Sequence, residues 1–302
     1  RLYGLTNRFR SLLIPEPVKI NHMEQYLKDE NFESQYAEKC DLLLELSPAR
    51  ISYAILDHAS NQLQVLFSSR IASNILILDK LDTLFNTHTE LQFPFRQIKI
   101  GLQTSQFTFI PDELFDPSLV KEYAKFTQSG THMDHRIQIN DIKSVGIKNV
   151  VTIDLELQKV LPTRFHQGQL FSQADSFIAG MNQMIDGNEG TSFGLNVQSE
   201  TIEVAVFDSD RLRFYNLFDC VNADEFNYFL LTIVKELNLD PAQTKILLAG
   251  AIEKNDAYYQ RIQKYFQDIH FLNTRQLLVQ SDLTDQLVPH LFFSLISLNL
   301  CE

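Results

Sequence analysis

Apolar and polar positions fall into a regular rhythm only after residue 40. From Asp41 onward three short apolar, β-rich runs, Leu42 to Ser47, Ile51 to Asp57 and Leu63 to Ser69, are separated by Ser-Pro-Ala-Arg and His-Ala-Ser-Asn. Runs of that length bounded by turn-formers predict a three-strand meander. Ile75, Leu78, Leu81 and Phe85 then recur at helical spacing, which predicts a helix over 73–88 with Ser73 as its cap.

The second half repeats this order. Phe193 to Gln198, Thr201 to Asp208 and Arg211 to Phe218 read as strands, the middle one placing Ile202, Val204 and Val206 on one face. Asn222 and Glu225 form a capping-box pattern ahead of an apolar stripe through Phe226, Phe229, Leu230, Ile233, Val234 and Leu237. A buried strand over Lys245 to Ala249, a helix carrying Tyr258, Ile262 and Tyr265, a strand over Ile269 to Leu272 and a closing helix from Asp285 complete a β-β-β-α-β-α-β-α series. At a shift of 151 residues, LELSPARISYAILD (Leu44 to Asp57) and LNVQSETIEVAVFD (Leu195 to Asp208) share Leu, Ile, Ala and Asp at four of fourteen places. Strand lies on strand and turn on turn, so a duplication is the better reading.

Between the halves, Ile98 to Leu102 and Phe107 to Ile110 read as strands, Asp116-Pro117 opens a helix through Phe126, and Arg136 to Ile139 and Asn149 to Asp154 return to strand. Ser172 to Ile185 reads as a helix leading into an interlobe turn at Asp186 to Gly190. The expected organisation is a loosely specified N-terminal arm over 1–40, a first lobe over 41–185 with an insertion at about 106–148, and a second lobe over 190–302.

A chain of 302 residues with 44% apolar residues and 23 Phe can fill two packed cores. The net charge of −12 opposes binding to nucleic-acid phosphates or an anionic membrane. Cys40, Cys220 and Cys301 are an odd, widely spaced set, consistent with reduced thiols and a cytoplasmic location. Leu12-Leu13-Ile14 is cut by Pro15 and Pro17, so it makes no signal-peptide core. The most apolar stretch, Leu287 to Leu300, is interrupted by Pro289 and His290 and is expected to be a buried helix; no membrane insertion is expected.

The duplicated unit with an insertion in its first half resembles the α/β fold of the actin, sugar kinase and heat-shock chaperone superfamily, a duplicated actin-like ATPase (ribonuclease H-like) fold. FTFIPDELFD (107–116), DEFNYFLL (224–231) and PHLFFSLISLNLCE (289–302) are similar to a Bacteroidetes family known as a domain of unknown function, for which an actin-like fold is described; the resemblance covers 41–302. It implies a nucleotide cleft built on two hairpins, each with Asp, Gly two residues later, and Ser or Thr beyond. Glycine there lets backbone N–H groups approach phosphate, and the carboxylate helps place hydrated Mg²⁺. In this chain Glu45 stands for the first Asp, Ser47 for its Gly and Arg50 near the hydroxyl position, while Asn196 and Gln198 stand for the second pair and Thr201 is kept. Gly250, after Ile246 to Ala249, matches one glycine of the adenine-contacting motif. The hinge helices would be Gln173 to Met184, with Ala179-Gly180 as small residues, and Asp285 to Leu298, where Phe292 and Phe293 oppose close crossing.

The candidate degenerate cleft is therefore Glu45, Ser47, Asn196, Gln198, Thr201 and Gly250, with both turn glycines gone. The expectation is a non-enzymatic actin-like protein that binds another protein and uses no cofactor. The alternative is an ATP- and Mg-dependent phosphotransferase or ATPase, with Glu45 positioning the metal and Thr201 and Gly250 contacting nucleotide. His132, Asp134 and His135 lack a fourth ligand at matched spacing and read as a solvated loop. Asp57 and Asp208 read as turn formers. No Gly-x-Ser-x-Gly elbow or P-loop is present.

Overall fold

A computed structural model describes residues 24–127, 135–185 and 190–302. Residues 1–23, the His132 and Asp134 positions, and 186–189 of the expected interlobe turn lie outside the described residues.

The first half contains β1 (Glu24–Lys28), β2 (Cys40–Leu46), β3 (Arg50–Asp57), β4 (Leu63–Arg70), α1 (Ile77–Thr87) and β5 (Gln97–Leu102). It continues through β6 (Phe107–Pro111), α2 (Val120–Ala124), β7 (His135–Ile142), β8 (Ile147–Asp154), α3 (Leu155–Arg164), β9 (Gln169–Ser172) and α4 (Gln173–Ile185). The second half is β10 (Thr191–Val197), β11 (Thr201–Asp208), β12 (Arg211–Asp219), α5 (Ala223–Glu236), β13 (Thr244–Gly250), α6 (Ala257–Gln263), β14 (Ile269–Phe271), α7 (Asp282–Asp285) and α8 (Phe293–Ser297). Sheet orders are β1-β4-β3-β2-β5-β9, β12-β11-β10-β13-β14 and, for the inserted sheet, β6-β8-β7.

The duplication is visible in strand register. Glu45 pairs with Ser52 across β2 and β3, and Asn196 pairs with Glu203 across β10 and β11, so both partners move by the same number of residues. Each first strand then pairs in parallel with the strand after the helix, β2 with β5 and β10 with β13. Both central sheets are covered on two faces. Leu42, Leu44 and Tyr53 share a core with Leu81 of α1 and Leu161 of α3, while Leu43, Ala54 and Leu66 pack toward Leu295 of α8. In the second sheet Ile202, Val204 and Val206 face Phe226 and Leu230 of α5, and Ala205 and Phe207 face Phe177 of α4 and Phe293 of α8. Helices α4 and α8 thus lie between the two sheets, which is why continuous apolar runs rather than simple alternation mark these strands.

Several expectations need correction. Part of the N-terminal arm is ordered sheet: β1 lies antiparallel on β4 with Tyr26 opposite Phe67. Helix α1 starts at Ile77 behind Leu76, without a side-chain cap, so Ser73 does not cap it. The stripe on α5 is graded: Phe226, Leu230 and Ile233 are buried, whereas Phe229, Val234 and Leu237 are half-buried at its rim. Asn222 does cap α5, accepting from the N–H groups of Asp224 and Glu225, but Glu225 reaches back to the N–H of Val221, one residue before the cap. The inserted sheet takes in β8 and so runs to Asp154 rather than ending near 148. The closing helix is broken into α7, a 3-10 turn over Pro289–Phe292 and α8, because Val288 is extended ahead of Pro289.

Candidate functional site

Two tight hairpins meet in the cleft between the halves. Pro48-Ala49 and Ser199-Glu200 are two-residue turns, closed by the Ser47 N–H donating to the Arg50 carbonyl and the Gln198 N–H donating to that of Thr201, each at 2.9 Å. Ser47 Oγ adds a second clasp by accepting from the Arg50 N–H at 2.9 Å. The backbone N–H groups of Ser47 and Gln198, where the resemblance expects phosphate contacts, therefore close the turns themselves.

The polar groups beside these turns are also engaged. Asn196 Nδ2 donates to Glu203 Oε2 at 2.8 Å and to Ser294 Oγ of α8 at 2.9 Å, and Asn196 Oδ1 accepts from Gln198 Nε2 at 3.2 Å. Glu203 Oε1 accepts from the Tyr215 hydroxyl at 2.5 Å. Thr201 Oγ1 accepts from Gln103 Nε2 at 2.8 Å, a bond that crosses from the end of β5 to the second hairpin. The Gln103 N–H is itself held on the Leu46 carbonyl, at the first hairpin. A single glutamine thus ties the two hairpins together.

Gly250 has a structural reason for being glycine. Its φ is +79°, and a Cβ there would stand 2.1 Å from the Val197 carbonyl oxygen and 2.4 Å from Asn196 Oδ1. The ends of the parallel neighbours β10 and β13 lie close together at this point, with the Ala251 N–H donating to Val197 O at 2.6 Å.

Two carboxyls remain in the cleft. Burial pushes Glu45 up to about 7, opposed only by the charge of Arg50; no hydrogen bond offsets it. Burial pushes Glu203 up to about 8 against the Tyr215 and Asn196 donors, and the charge of Glu45 adds to the rise. Behind them Asp175 at the start of α4 accepts from Asn140, Asn149 and the Ser172 N–H, which anchors the inserted sheet to α4. Glu45 and Ser47 lie at the first hairpin, Asn196, Gln198, Thr201 and Gly250 lie together at the second, and Gln103, Glu203 and Ser294, with Tyr215 bonded to Glu203, contact the second group unforeseen. Glu203 had a readable signal: Ala205 and Phe207, on its own side of β11, are apolar, so that side is buried as well.

The helix crossing also differs from expectation. A Cβ on Gly180 of α4 would meet Ser297 Oγ of α8 at 2.1 Å and the Phe293 ring at 2.8 Å. Ser297 supplies the small residue, while Phe293 stands edge-on to Phe177 with ring centres 6.0 Å apart. Close crossing is therefore achieved. Asp57 acts as a turn former, its Oδ1 accepting from the Ser60 N–H at 2.9 Å.

Residues 29–269 match the family described as protein of unknown function (DUF3822). The chain belongs to this family. Among solved structures, it is similar to a Bacteroides thetaiotaomicron protein with an actin-like ATPase fold and unknown function, at 17% identity and a TM-score of 0.74 over 82% of this chain and 97% of that one. It is also similar to the PilM-PilN type IV pilus biogenesis complex, at 11% identity and a TM-score of 0.59 over 86% of this chain and 97% of that one. No curated protein matches. The fold of this DUF3822 member is thus actin-like, a mixed α/β architecture. Among the described residues no helix is long and apolar enough to cross a membrane.

Proposed function

We propose that this protein is a degenerate, non-enzymatic member of the actin-like fold, a cytoplasmic pseudo-ATPase that works by binding another protein. The observation that carries the reading is the engagement of the cleft by the protein's own groups: Gln103 occupies Thr201, and Asn196 is shared among Glu203, Ser294 and Gln198. A nucleotide would have to displace these bonds and find its phosphates facing the side chains of Ser47 and Gln198 instead of bare backbone. The similarity to PilM in a complex with PilN supports a role through a protein partner, at the level of fold alone.

Glu45 favours the alternative, an ATP-binding phosphotransferase or ATPase, because its carboxyl has no hydrogen-bond partner and could receive a hydrated metal. Thermal unfolding with and without Mg-ATP separates the two readings. A cleft with a dissociation constant of about 10 μM would gain about 2.7 kcal/mol at roughly 1 mM ATP and raise the midpoint by several degrees. The expected result is no shift. A reproducible Mg-dependent rise, absent in Glu45→Ala, would overturn the proposal in favour of the enzyme.

A further inference from the structure

The two halves differ at one sheet edge. In the first sheet β1 lies outside β4, whereas in the second the corresponding strand, β12, is outermost. Val65 to Ser69 sit on β3 in the register in which Phe214 to Phe218 sit on β11: Ile55 opposes Val65 and Ile51 opposes Ser69, as Val206 opposes Phe214 and Ile202 opposes Phe218. Those five residues of β4 are the ones that β1 covers. Both strands are bulged just before them, so a bulge in this place leaves the edge able to take another strand.

The outer edge of β12 offers unpaired backbone and apolar surface together. The Cys220 N–H donates to the Glu200 carbonyl at 2.8 Å, one step past the pair of Thr201 and Asp219. Inward and outward main-chain groups alternate along an antiparallel strand, so Phe214, Asn216 and Phe218 face β11, while Tyr215, Leu217 and Asp219 turn their N–H and C=O groups away from it. Among the described residues no strand meets them. An aromatic strip runs beside this edge on the α5 side. Half-buried Phe214 and Phe218 stack with ring centres 6.4 Å apart, Phe218 stacks on Phe229 at 4.6 Å, and exposed Tyr228 stands edge-on to Phe229 at 5.6 Å.

We infer that a second copy of this chain lays its own β12 on this edge, antiparallel, and forms a two-fold dimer with one continuous sheet. The strand RLRFYNLFD (211–219) is self-complementary about Asn216. Pairing through the five residues that correspond to those under β1 sets Phe214 opposite the partner's Phe218, Tyr215 opposite the partner's Leu217 and Arg213 opposite the partner's Asp219, each twice by symmetry. The first half shows the same extension into the bulge, where the Asp29 N–H donates to the Gln64 carbonyl at 2.8 Å, one residue beyond the pair of Lys28 and Val65. Arg213 and Asp219 are both exposed. A two-fold centred on Tyr215 instead would set Phe214 against Asn216 and Arg213 against Leu217, so the aromatic and the charged pairs select one register.

Sedimentation equilibrium of the full chain over a dilution series is the test, and a reversible monomer–dimer equilibrium is expected. Leu217→Pro removes an outward N–H without removing a bond to β11, and should weaken association by about tenfold or more, equivalent to about 1.4 kcal/mol. Arg213→Asp and Asp219→Arg each set like charges together at both ends of the paired strands, and each should be monomeric where the parent is dimeric. An equimolar mixture of these two single variants restores opposite charges at both ends and should recover the dimer. Circular dichroism establishes that each variant is folded. A wild type that stays monomeric at every concentration, association undiminished by the proline and the charge reversals, or a mixture no more associated than its components would overturn the inference. None of the six cleft candidates lies on β12, so the result is independent of whether ATP binds.

Discussion

The two hairpins have the same backbone and opposite chemistry. In the first, the acid stands on the leading strand, Glu45, opposite Ser52; in the second, the leading strand carries the amide Asn196 and the acid is across from it, Glu203. Ser52 pairs with Ser68 at 2.8 Å, where Arg50 also donates at 2.6 Å, so apart from the unpartnered Glu45 carboxyl the first hairpin's side-chain bonds stay within its own sheet. The second reaches outward, to Tyr215 of β12, Ser294 of α8 and Gln103 of the other half. Duplication preserved the register while the side chains diverged into an interlock, which supports a closed cleft better than a reactive one.

The sharpest test of this asymmetry lies where the parallel neighbours differ. Leu46 pairs with Leu102 in the first half, and Val197 with Gly250 in the second. Gly250→Ala should destabilise by at least about 3 kcal/mol in urea unfolding, since a left-handed backbone and a contact on main-chain oxygen combine. A loss below about 1 kcal/mol would mean that the end of β13 relaxes freely and that the second hairpin is no tighter than the first.

The carboxyls give the next largest effect. Both Glu45 and Glu203 are raised from 4.5, to about 7 and about 8, so the folded protein holds more protons than the unfolded chain between those limits. Stability contributed by each is fully present below about pH 4.5 and is lost as pH rises to about 8. His290, lowered by burial, acts with the opposite sign near its ordinary range, so the comparison must be between variants. Relative to wild type, Glu203→Gln should gain stability on the order of 2 kcal/mol as pH is raised across this window. Glu45→Gln should gain with an earlier midpoint. Parallel pH profiles for wild type and both variants would refute the raised carboxyls.

Legibility in the sequence followed the reach of each interaction. The meander strands are bounded by turn-formers that act over two to four residues, and Asp57 and Asn222 cap their own neighbours, so these boundaries agree with the sequence within a residue or two. Strand β9 went unread because four residues, Gln169 to Ser172, carry no period of their own and exist only through pairing with β5. The closing segment misled because apolar composition from Leu287 to Leu300 outweighed the break that Pro289 imposes. The six candidate residues came from the resemblance to a two-hairpin cleft, which marks positions at the turns and at the end of one strand. The residues that fill the space beside them were not legible, because Gln103 lies 98 positions from Thr201 and has no local signature of its own. A polar contact between halves becomes readable only once the halves are docked.

That contact gives the smallest and most specific prediction. Gln103 Nε2 and Thr201 Oγ1 form a neutral hydrogen bond in a partly buried cleft, and removing either partner should cost about 1 kcal/mol. The single losses do not isolate the bond, because Gln103→Ala also removes packing and Thr201→Val leaves the glutamine amide without its acceptor. A double-mutant cycle on Gln103→Ala and Thr201→Val removes those separate effects, and a coupling of about 0.5–1 kcal/mol is expected. The same cycle between Ser47→Ala and Gln103→Ala should show coupling near zero, since the Ser47 hydroxyl is committed to Arg50 within its own turn. Equal coupling in the two cycles would place the hairpins on the same footing and remove the asymmetry. If nucleotide does enter the cleft, it must take this bond first: Gln103→Ala would then gain a Mg-ATP-dependent rise in unfolding midpoint that the wild type lacks. The closed-cleft reading expects Gln103→Ala to remain as indifferent to ATP as the parent, because Asn196 and Gly250 are still fully occupied behind it.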